Sequence, residues 1–197
     1  MTGAAVDLAG PLANFIVGAV ALALAYRSSA APRLLLALIA EFNLLWFSLQ
    51  LVASAATRTD DWAWAMHVFH IAGAERCGMI AFGVLFYLGS IRAVAAALAP
   101  FATSEIRVRN IVWIAWLTGG ILACVTALFD QHPIPAILHH AAPQSFLLAI
   151  GLLFTPRWAT RFPMPPAPAI RFSPVWTAAA AIVAVLSILY LGPGFAV

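Results

Sequence analysis

Charge is what this sequence lacks most, because only 9% of its 197 residues are charged and none of them is lysine. A water-soluble domain carries about 25% charged residues, which keep its surface hydrated. The ten arginines and seven acids are scattered along the chain rather than gathered into one basic face. The composition therefore argues against a soluble domain and against a nucleic-acid partner.

Cysteine and the common catalytic motifs are also scarce. The two cysteines, Cys77 and Cys124, lie far apart in apolar segments, which indicates buried thiols rather than a disulfide framework. No serine stands in a G-x-S-x-G turn and no glycine-rich phosphate loop occurs, so nothing points to nucleophilic or nucleotide chemistry. The use of arginine alone, together with abundant alanine, favours an origin in a GC-rich bacterial genome.

Apolar sequence is what the chain has instead, since 64% of its residues are hydrophobic and they fall in long runs. About 20 apolar residues cross the hydrocarbon core of a bilayer. We predict an all-α fold: a polytopic transmembrane helical bundle, forming a single integral membrane domain over residues 1–197, with about six spans and a short interfacial helix within Thr57–Gly73. The spans are predicted near residues 10–26, 33–56, 75–99, 110–129, 134–154 and 175–191.

The arginines divide unequally between the two sets of loops that six spans create. One set holds only Arg58 and Arg76, whereas the other holds most of the rest: Arg27, Arg33, Arg107, Arg109, Arg157, Arg161 and Arg171, with Arg92 close by. The positive-inside rule places the arginine-rich loops in the cytoplasm and both termini on the opposite side. The expected location is a bacterial inner (plasma) membrane, with the lipid bilayer as the immediate partner.

Small residues recur along one face of the first predicted span, at Gly10, Asn14, Gly18, Ala21 and Ala25. Such a stripe lets a second helix approach closely in lipid, and an asparagine within it can hydrogen-bond across the interface. We therefore predict that this face packs against another membrane helix.

The second predicted span carries unusual polarity at Glu41, Asn43, Ser48 and Gln50. At 100° per residue, Glu41 and Ser48 share one face of the helix, while Asn43 and Gln50 lie nearly opposite. Both faces must then meet protein or water rather than lipid. An intramembrane acid indicates either a functional group, such as part of a proton path, or a hydrogen-bonded tie between helices.

The segment Thr57–His70 gathers two acids, two histidines and two tryptophans. Its aromatic residues are typical of a helix at the membrane interface, with Asp60 or Asp61 as the predicted N-cap. His67 and His70 are three residues apart, which lets two imidazoles reach one ion. His67 and His70 are therefore candidate metal ligands, with zinc as one possible metal, against the alternative that the histidines hold no ligand.

The fifth predicted span is interrupted by Pro135, His139, His140, Pro143 and Gln144. Proline removes a backbone donor and frees a carbonyl one turn earlier, which His139 or a water could satisfy. A haem held by histidines from two elements, such as His70 and His140, is a less favoured cofactor hypothesis. Polar groups beside an interrupted helix also occur on transport routes.

The segment GPLANF, Gly10–Phe15, leads directly into the first span and resembles the AGPLAN segment of the site-2 protease (M50) family of intramembrane zinc metalloproteases. The run from Phe42 to Trp62, a helix containing Phe-Asn that leads into Asp-Trp, is similar to segments of small bacterial M50-like membrane proteins. The likeness is confined to the first third of the chain. It implies a helical membrane protein that works on, or binds, other membrane segments.

The family's zinc-binding HExxH helix, in which the glutamate is the general base, has no counterpart in this sequence. Its LDG-type motif for the third ligand is also missing, and Asp61 is only a positional candidate for that ligand. The resemblance therefore implies a non-catalytic relative, or a truncated M50-like zinc metalloprotease whose HExxH helix would precede Gly10.

Three hypotheses follow, in order of preference. The first is a non-catalytic M50-like protein that binds or regulates other membrane helices. The second is a membrane protein with a histidine-ligated metal or haem. The third is a small transporter or proton path that uses Glu41.

Overall fold

Five helices in the described part of the chain are long and apolar enough to cross a membrane. They are Leu8–Arg27, Ala31–Thr57, Gly73–Phe101, Arg107–Ala127 and Pro133–Ala159. The computed structural model describes residues 2–28, 30–102 and 105–163, together with positions 174, 178, 181, 182 and 185. The predicted sixth span, 175–191, lies almost wholly outside the described residues.

The described chain is helical, which confirms the all-α prediction, and no β-strand occurs within it. The elements before the fifth span are α1 (Thr2–Arg27), α2 (Ala30–Thr57), the short α3 (Asp60–Val68), α4 (Gly73–Leu98) and α5 (Glu105–Ala127). A single 3₁₀ turn, Ala99–Phe101, extends α4. The observed spans agree with the first five predicted ones to within a few residues at each end.

The second helix, α2, is central to the described bundle, because it packs against α1, α3, α4 and the composite fifth span. The contact with α1 is built from small residues, as predicted: Ala21 and Ala25 are buried, and a Cβ added at Gly18 would come within 2.7 Å of the Leu44 side chain. Close backbone approach of this kind is the main source of helix association in lipid. Asn14 does not bond across the interface, since its amide nitrogen donates to the Gly10 carbonyl of its own helix at 3.1 Å.

Arginine and aromatic side chains join the helices at the end of the bundle where α1, α4 and the fifth span end, which we call the arginine-rich end. The Arg33 Nε atom donates to the Ala97 carbonyl at 2.8 Å, linking α2 to α4. The Arg92 guanidinium lies 5.8 Å from the centroid of the Trp158 ring, and the Arg161 guanidinium lies 5.0 Å from the same centroid. Each such contact contributes about 0.5–1 kcal/mol where the groups are exposed.

The opposite end, which we call the α3 end, is closed by α3 folding back onto α1 and α2. The predicted N-cap was wrong: Thr59, not Asp60 or Asp61, has the extended backbone of an N-cap residue, with φ −121° and ψ 170°. The chain reverses direction on either side of α3 through residues with left-handed backbone, Arg58 (φ 62°) and His70 (φ 54°).

The fifth span is a composite helix, Pro133–Ala159, whose winding changes along its length. A first α-helical turn gives way to π-helix over Ala136–Ala141 and Pro143–Leu147, then to 3₁₀-helix over Leu148–Phe154. Pro143 has no N–H to donate, so a regular i to i−4 ladder cannot continue through it. The Ala142 N–H bonds instead to the Ile137 carbonyl, five residues back. The predicted interruption of this span is therefore confirmed.

Candidate intramembrane site

A cleft of about 380 Å³ opens between α1, α2, α5 and the composite helix. Its polar lining consists of Asn14, Asn43, Gln144 and Ser145, and its apolar lining of Phe42, Trp46 and four small residues: Gly119, Ala123, Ala141 and Ala149. Asn43 lies 12 residues from the start of the α2 span, or about 18 Å along the axis, and about 21 Å from its end. The cleft is thus at mid-membrane depth.

The described residues of the cleft offer three amides and one hydroxyl as polar groups, and none of these residues is charged. The Asn43 amide nitrogen donates to the Ile39 carbonyl of its own helix at 2.8 Å, as Asn14 does to Gly10. The side-chain oxygens of both asparagines, and the whole amide of Gln144, have no hydrogen-bond partner among the described residues. An amide can accept through its oxygen and donate through two N–H groups. The cleft can therefore both donate and accept hydrogen bonds.

The π-helical wall of this cleft is held in place by α5. The Trp116 indole N–H donates to the Phe146 carbonyl at 3.1 Å, and the two rings meet edge to face with centroids 4.9 Å apart. Gly120 leaves room for the Phe146 ring, since any Cβ there would overlap it, and Gly119 lies against Phe42. Gly119 and Gly120 therefore let α5 lie close to α2 and to the composite helix. Short π-helical segments of this kind occur frequently at functional sites.

Glu41 lies on a different face of α2 from the cleft, as its spacing from Asn43 predicted. Its side chain has no exposed surface, and the Thr155 hydroxyl of the composite helix donates to its Oε1 atom. The Oε2 atom is buried without a hydrogen-bond partner among the described residues. Glu41 therefore ties α2 to the end of the composite helix and does not line the cleft.

The three residues predicted as metal ligands do not converge. The Asp61 Oδ2 atom accepts a hydrogen bond from the Gln50 amide at 2.9 Å, which holds α3 against α2. His67 and His70 line a separate pocket, of about 440 Å³, at the α3 end. Within the described ranges, no three His, Cys, Asp or Glu side chains come together in a way that could hold a metal ion. Metal binding by Asp61, His67 and His70 stays a prediction.

The other histidines of the haem hypothesis, His139 and His140, are exposed on the π-helical segment. The hydroxyl of Ser145, rather than His139, donates to a carbonyl of this segment, that of Ala141. Haem binding likewise stays untested.

Sequence reasoning singled out Asn43 and Gln144 but did not join them, and it missed Ser145 and Trp46. No signal in the sequence relates positions about 100 residues apart on two helices whose relative rotation is unknown. The mixture of amides with small residues at Gly119, Ala123, Ala141 and Ala149 was the only available hint, because close approach and polar bonding occur together in helix interfaces.

No family model, curated protein or solved structure matches the chain. The assignment of function therefore rests on the residues of the cleft and on their setting.

Proposed function

We propose that this chain is a non-catalytic integral membrane protein that binds a membrane-spanning helix of another protein in its polar cleft. The observation that carries the proposal is a set of three amide side chains at mid-membrane depth, Asn14, Asn43 and Gln144, each with polar atoms that no described residue bonds. Leaving an amide unbonded in hydrocarbon costs about 1–3 kcal/mol by protein mutational data. A partner helix with an uncharged polar side chain would remove this cost.

The apolar lining of the cleft suits the same partner. Gly119 and Ala123 of α5, together with Ala141 and Ala149 of the composite helix, present little side-chain bulk to the opening. Small residues at such an opening let a second helix come close enough for its side chains to reach inward. A volume of about 380 Å³ accommodates the side chains of an apposed helix rather than the helix itself.

The resemblance to the site-2 protease family supports the same reading. Asn14, within the GPLANF segment, lines the cleft, so the motif that carries the resemblance is also part of the proposed binding site. Because the sequence contains no HExxH, the proposed activity is binding or regulation of membrane segments without proteolysis. We place the protein in a bacterial plasma membrane with its arginine-rich end in the cytoplasm, following the positive-inside rule.

Site-specific photocrosslinking in cell membranes tests the proposal. A photoreactive phenylalanine derivative would replace Trp46, which lines the cleft, and as a control would replace Ile114, which is 66% exposed on α5 outside the cleft. We expect irradiation to give a protein adduct of discrete mass from position 46 and none from position 114. Lipid adducts alone at both positions would refute the proposal.

The same assay tests whether the amide groups of the cleft hold the partner. Replacing Asn43 and Gln144 together with leucine removes the amides while keeping similar volume, and we expect the adduct yield to fall about tenfold, as a loss of about 1.4 kcal/mol implies. Thr118→Leu, on the exposed face of α5, is the matched control and should leave the yield unchanged. An equal yield from all three proteins would show that the amides do not hold the partner.

A second candidate function, transport of a small uncharged polar solute, is favoured by one observation: the wall of the cleft is an interrupted, π-helical span. Interrupted helices often line the substrate sites of transporters. Under this alternative, a cysteine introduced at Gln144 would react with small water-soluble thiol reagents in native membranes. Under helix binding, the partner excludes water, and reactivity should appear only after detergent removes the partner.

A further inference from the structure

A second pocket, of about 440 Å³, lies at the α3 end and collects the basic side chains of that end of the molecule. Arg58, His67, His70 and Arg76 all line it, with Met66 and Ile71 as apolar neighbours. Between positions 34 and 91 the sequence contains two arginines, Arg58 and Arg76. Both line this pocket, so the positive charge of this part of the chain is concentrated there.

Two left-handed residues bring these side chains together. The Arg58 backbone (φ 62°) ends α2, and its N–H bonds to the Ser54 carbonyl at 2.9 Å. The His70 backbone (φ 54°) ends α3, where the Ile71 N–H bonds to the Met66 carbonyl five residues back at 2.8 Å. This is the hydrogen-bond pattern of a Schellman motif with His70 in the place usually taken by glycine. Because the chain reverses at both ends of α3, the residues that precede this helix and those that follow it line the same pocket.

Arg76 is fixed in the pocket by the end of α2. Its Nε atom donates to the Ala55 carbonyl, and its Nη2 atom donates to the Ala56 carbonyl at 2.7 Å. These carbonyls belong to the last turn of α2, where the helix dipole favours a cation. The guanidinium is thereby held at a defined place with donor capacity remaining, since it carries five N–H donors.

The two nearby acids whose side chains are described do not neutralise the pocket. The Asp61 carboxyl is bonded to Gln50 on α2. The Glu75 Oε2 atom accepts from the Ala72 N–H at 3.3 Å. Neither side chain lines the pocket. Two permanent positive charges and two imidazole donors face the same space, and this arrangement favours an anion over a divalent cation.

We propose that the pocket binds a phosphate group. Arginine and histidine N–H groups are the usual donors to phosphate oxygens, and the charge-assisted bonds they make are the strong ones. Arg58 directly follows the end of the α2 span and Arg76 lies three residues into the α4 span. The pocket is therefore at the level of lipid headgroups, and its phosphate comes either from an anionic phospholipid or from free solution. The site is separate from the cleft and does not depend on the proposed function.

The test uses the full chain, purified in detergent, with two probes: inorganic phosphate and soluble short-chain phosphatidylglycerol. Binding is followed by the fluorescence of Trp62 and Trp64 on α3, and independently by the rise in thermal unfolding midpoint. We expect saturable binding of at least one probe, weakened at least tenfold in the variant Arg58→Gln/His67→Gln. The variant Arg109→Gln, which removes an exposed charge at the arginine-rich end, should bind as the unmodified chain does.

The two probes identify the source of the phosphate. Binding of phosphatidylglycerol alone assigns the site to a lipid headgroup, and equal binding of both probes assigns it to a free anion. The variant Arg58→Lys/His67→Gln should bind more tightly than Arg58→Gln/His67→Gln, because lysine keeps the positive charge at position 58. Absence of binding by both probes, or affinity unchanged in Arg58→Gln/His67→Gln, would overturn the proposal.

Discussion

Glu41 carries the least solvated carboxyl group in the described chain, and its only hydrogen-bond donor there is the hydroxyl of Thr155. A carboxyl group placed inside a bilayer is costly unless protein groups bond to it. The bond to Thr155 also joins two helices that are far apart in sequence, α2 and the composite helix. We infer that this single hydroxyl both satisfies the carboxyl group with a hydrogen bond and fixes the C-terminal part of the composite helix against α2.

Replacement of Thr155 by valine, which has nearly the same shape, should therefore lower the free energy of unfolding by about 1–3 kcal/mol, since it leaves the carboxyl group without a donor. Reversible unfolding of the purified protein in mixed micelles measures the change. Thr160→Val removes a hydroxyl whose partner among the described residues lies in its own turn, the Arg157 carbonyl, and should cost much less. An equal decrease in the free energy of unfolding for both variants would show that the bond to Glu41 contributes no more to stability than a bond within one turn.

The sequence could single out Glu41, because any acid inside an apolar run is anomalous. It could not supply Thr155, which is one ordinary hydroxyl among many and lies 114 positions further along the chain. The same holds for Asp61: the resemblance made it a positional candidate for a metal ligand, whereas its hydrogen-bond partner is Gln50 on another helix. Long-range pairing of polar groups depends on helix rotations that sequence spacing does not contain.

At the scale of single elements, α3 ends on a residue with strained backbone. His70 has φ 54°, a conformation that costs a residue with a Cβ about 1–2 kcal/mol and costs glycine almost nothing. His70→Gly should thus stabilise the protein by up to about 1 kcal/mol, after allowing for the greater freedom of glycine in the unfolded chain.

The matched control for that variant is Ala63→Gly, a glycine in the interior of the same helix, which should destabilise by about 1 kcal/mol. Thermal unfolding of both variants beside the unmodified chain gives the comparison. Opposite signs are expected. A loss of stability in both would mean that the His70 side chain stabilises the turn by more than its backbone strain costs.

The composite helix depends on Gly120 of α5, against which the Phe146 ring lies directly. Gly120→Ala should displace Phe146, weaken the Trp116 hydrogen bond beside it, and cost about 1–3 kcal/mol through overpacking. Gly89→Ala adds the same methyl group to α4, where no atom of the described residues lies within 4 Å, and should be neutral or slightly stabilising. The unfolding free energies of the two variants, each compared with the unmodified chain, distinguish them. Similar behaviour of both variants would contradict the packing described here.

The prolines at 135 and 143 were enough to predict that the fifth span is interrupted. They did not predict π-helix, because the extra residue per turn can be accommodated in several ways, and the choice is made by contacts with α5. The prediction of α3 as a helix was right, because its aromatic and apolar residues have helical spacing. Its packing against α1 and α2 depends on the left-handed residues Arg58 and His70, which nothing in the sequence marks.

For the whole molecule, hydropathy predicted the first five spans well, because crossing a bilayer requires about 20 apolar residues regardless of neighbours. The cleft could not be predicted in the same way. Its polar lining comes from α1, α2 and the composite helix, so it exists only once the lateral order and rotation of the helices are set. Small residues determine that order, and they are common throughout this sequence.

Both proposed sites depend on one arrangement, in which the α3 end and the arginine-rich end lie on opposite faces of a membrane. Cysteine labelling in intact cells tests this most directly, in a background where Cys77 and Cys124 are replaced by serine. A single cysteine at Ala74, exposed at the α3 end, should react with a membrane-impermeant maleimide added outside, whereas one at Thr160, at the arginine-rich end, should react only after the membrane is opened. Reaction of both cysteines from the same side would contradict the account.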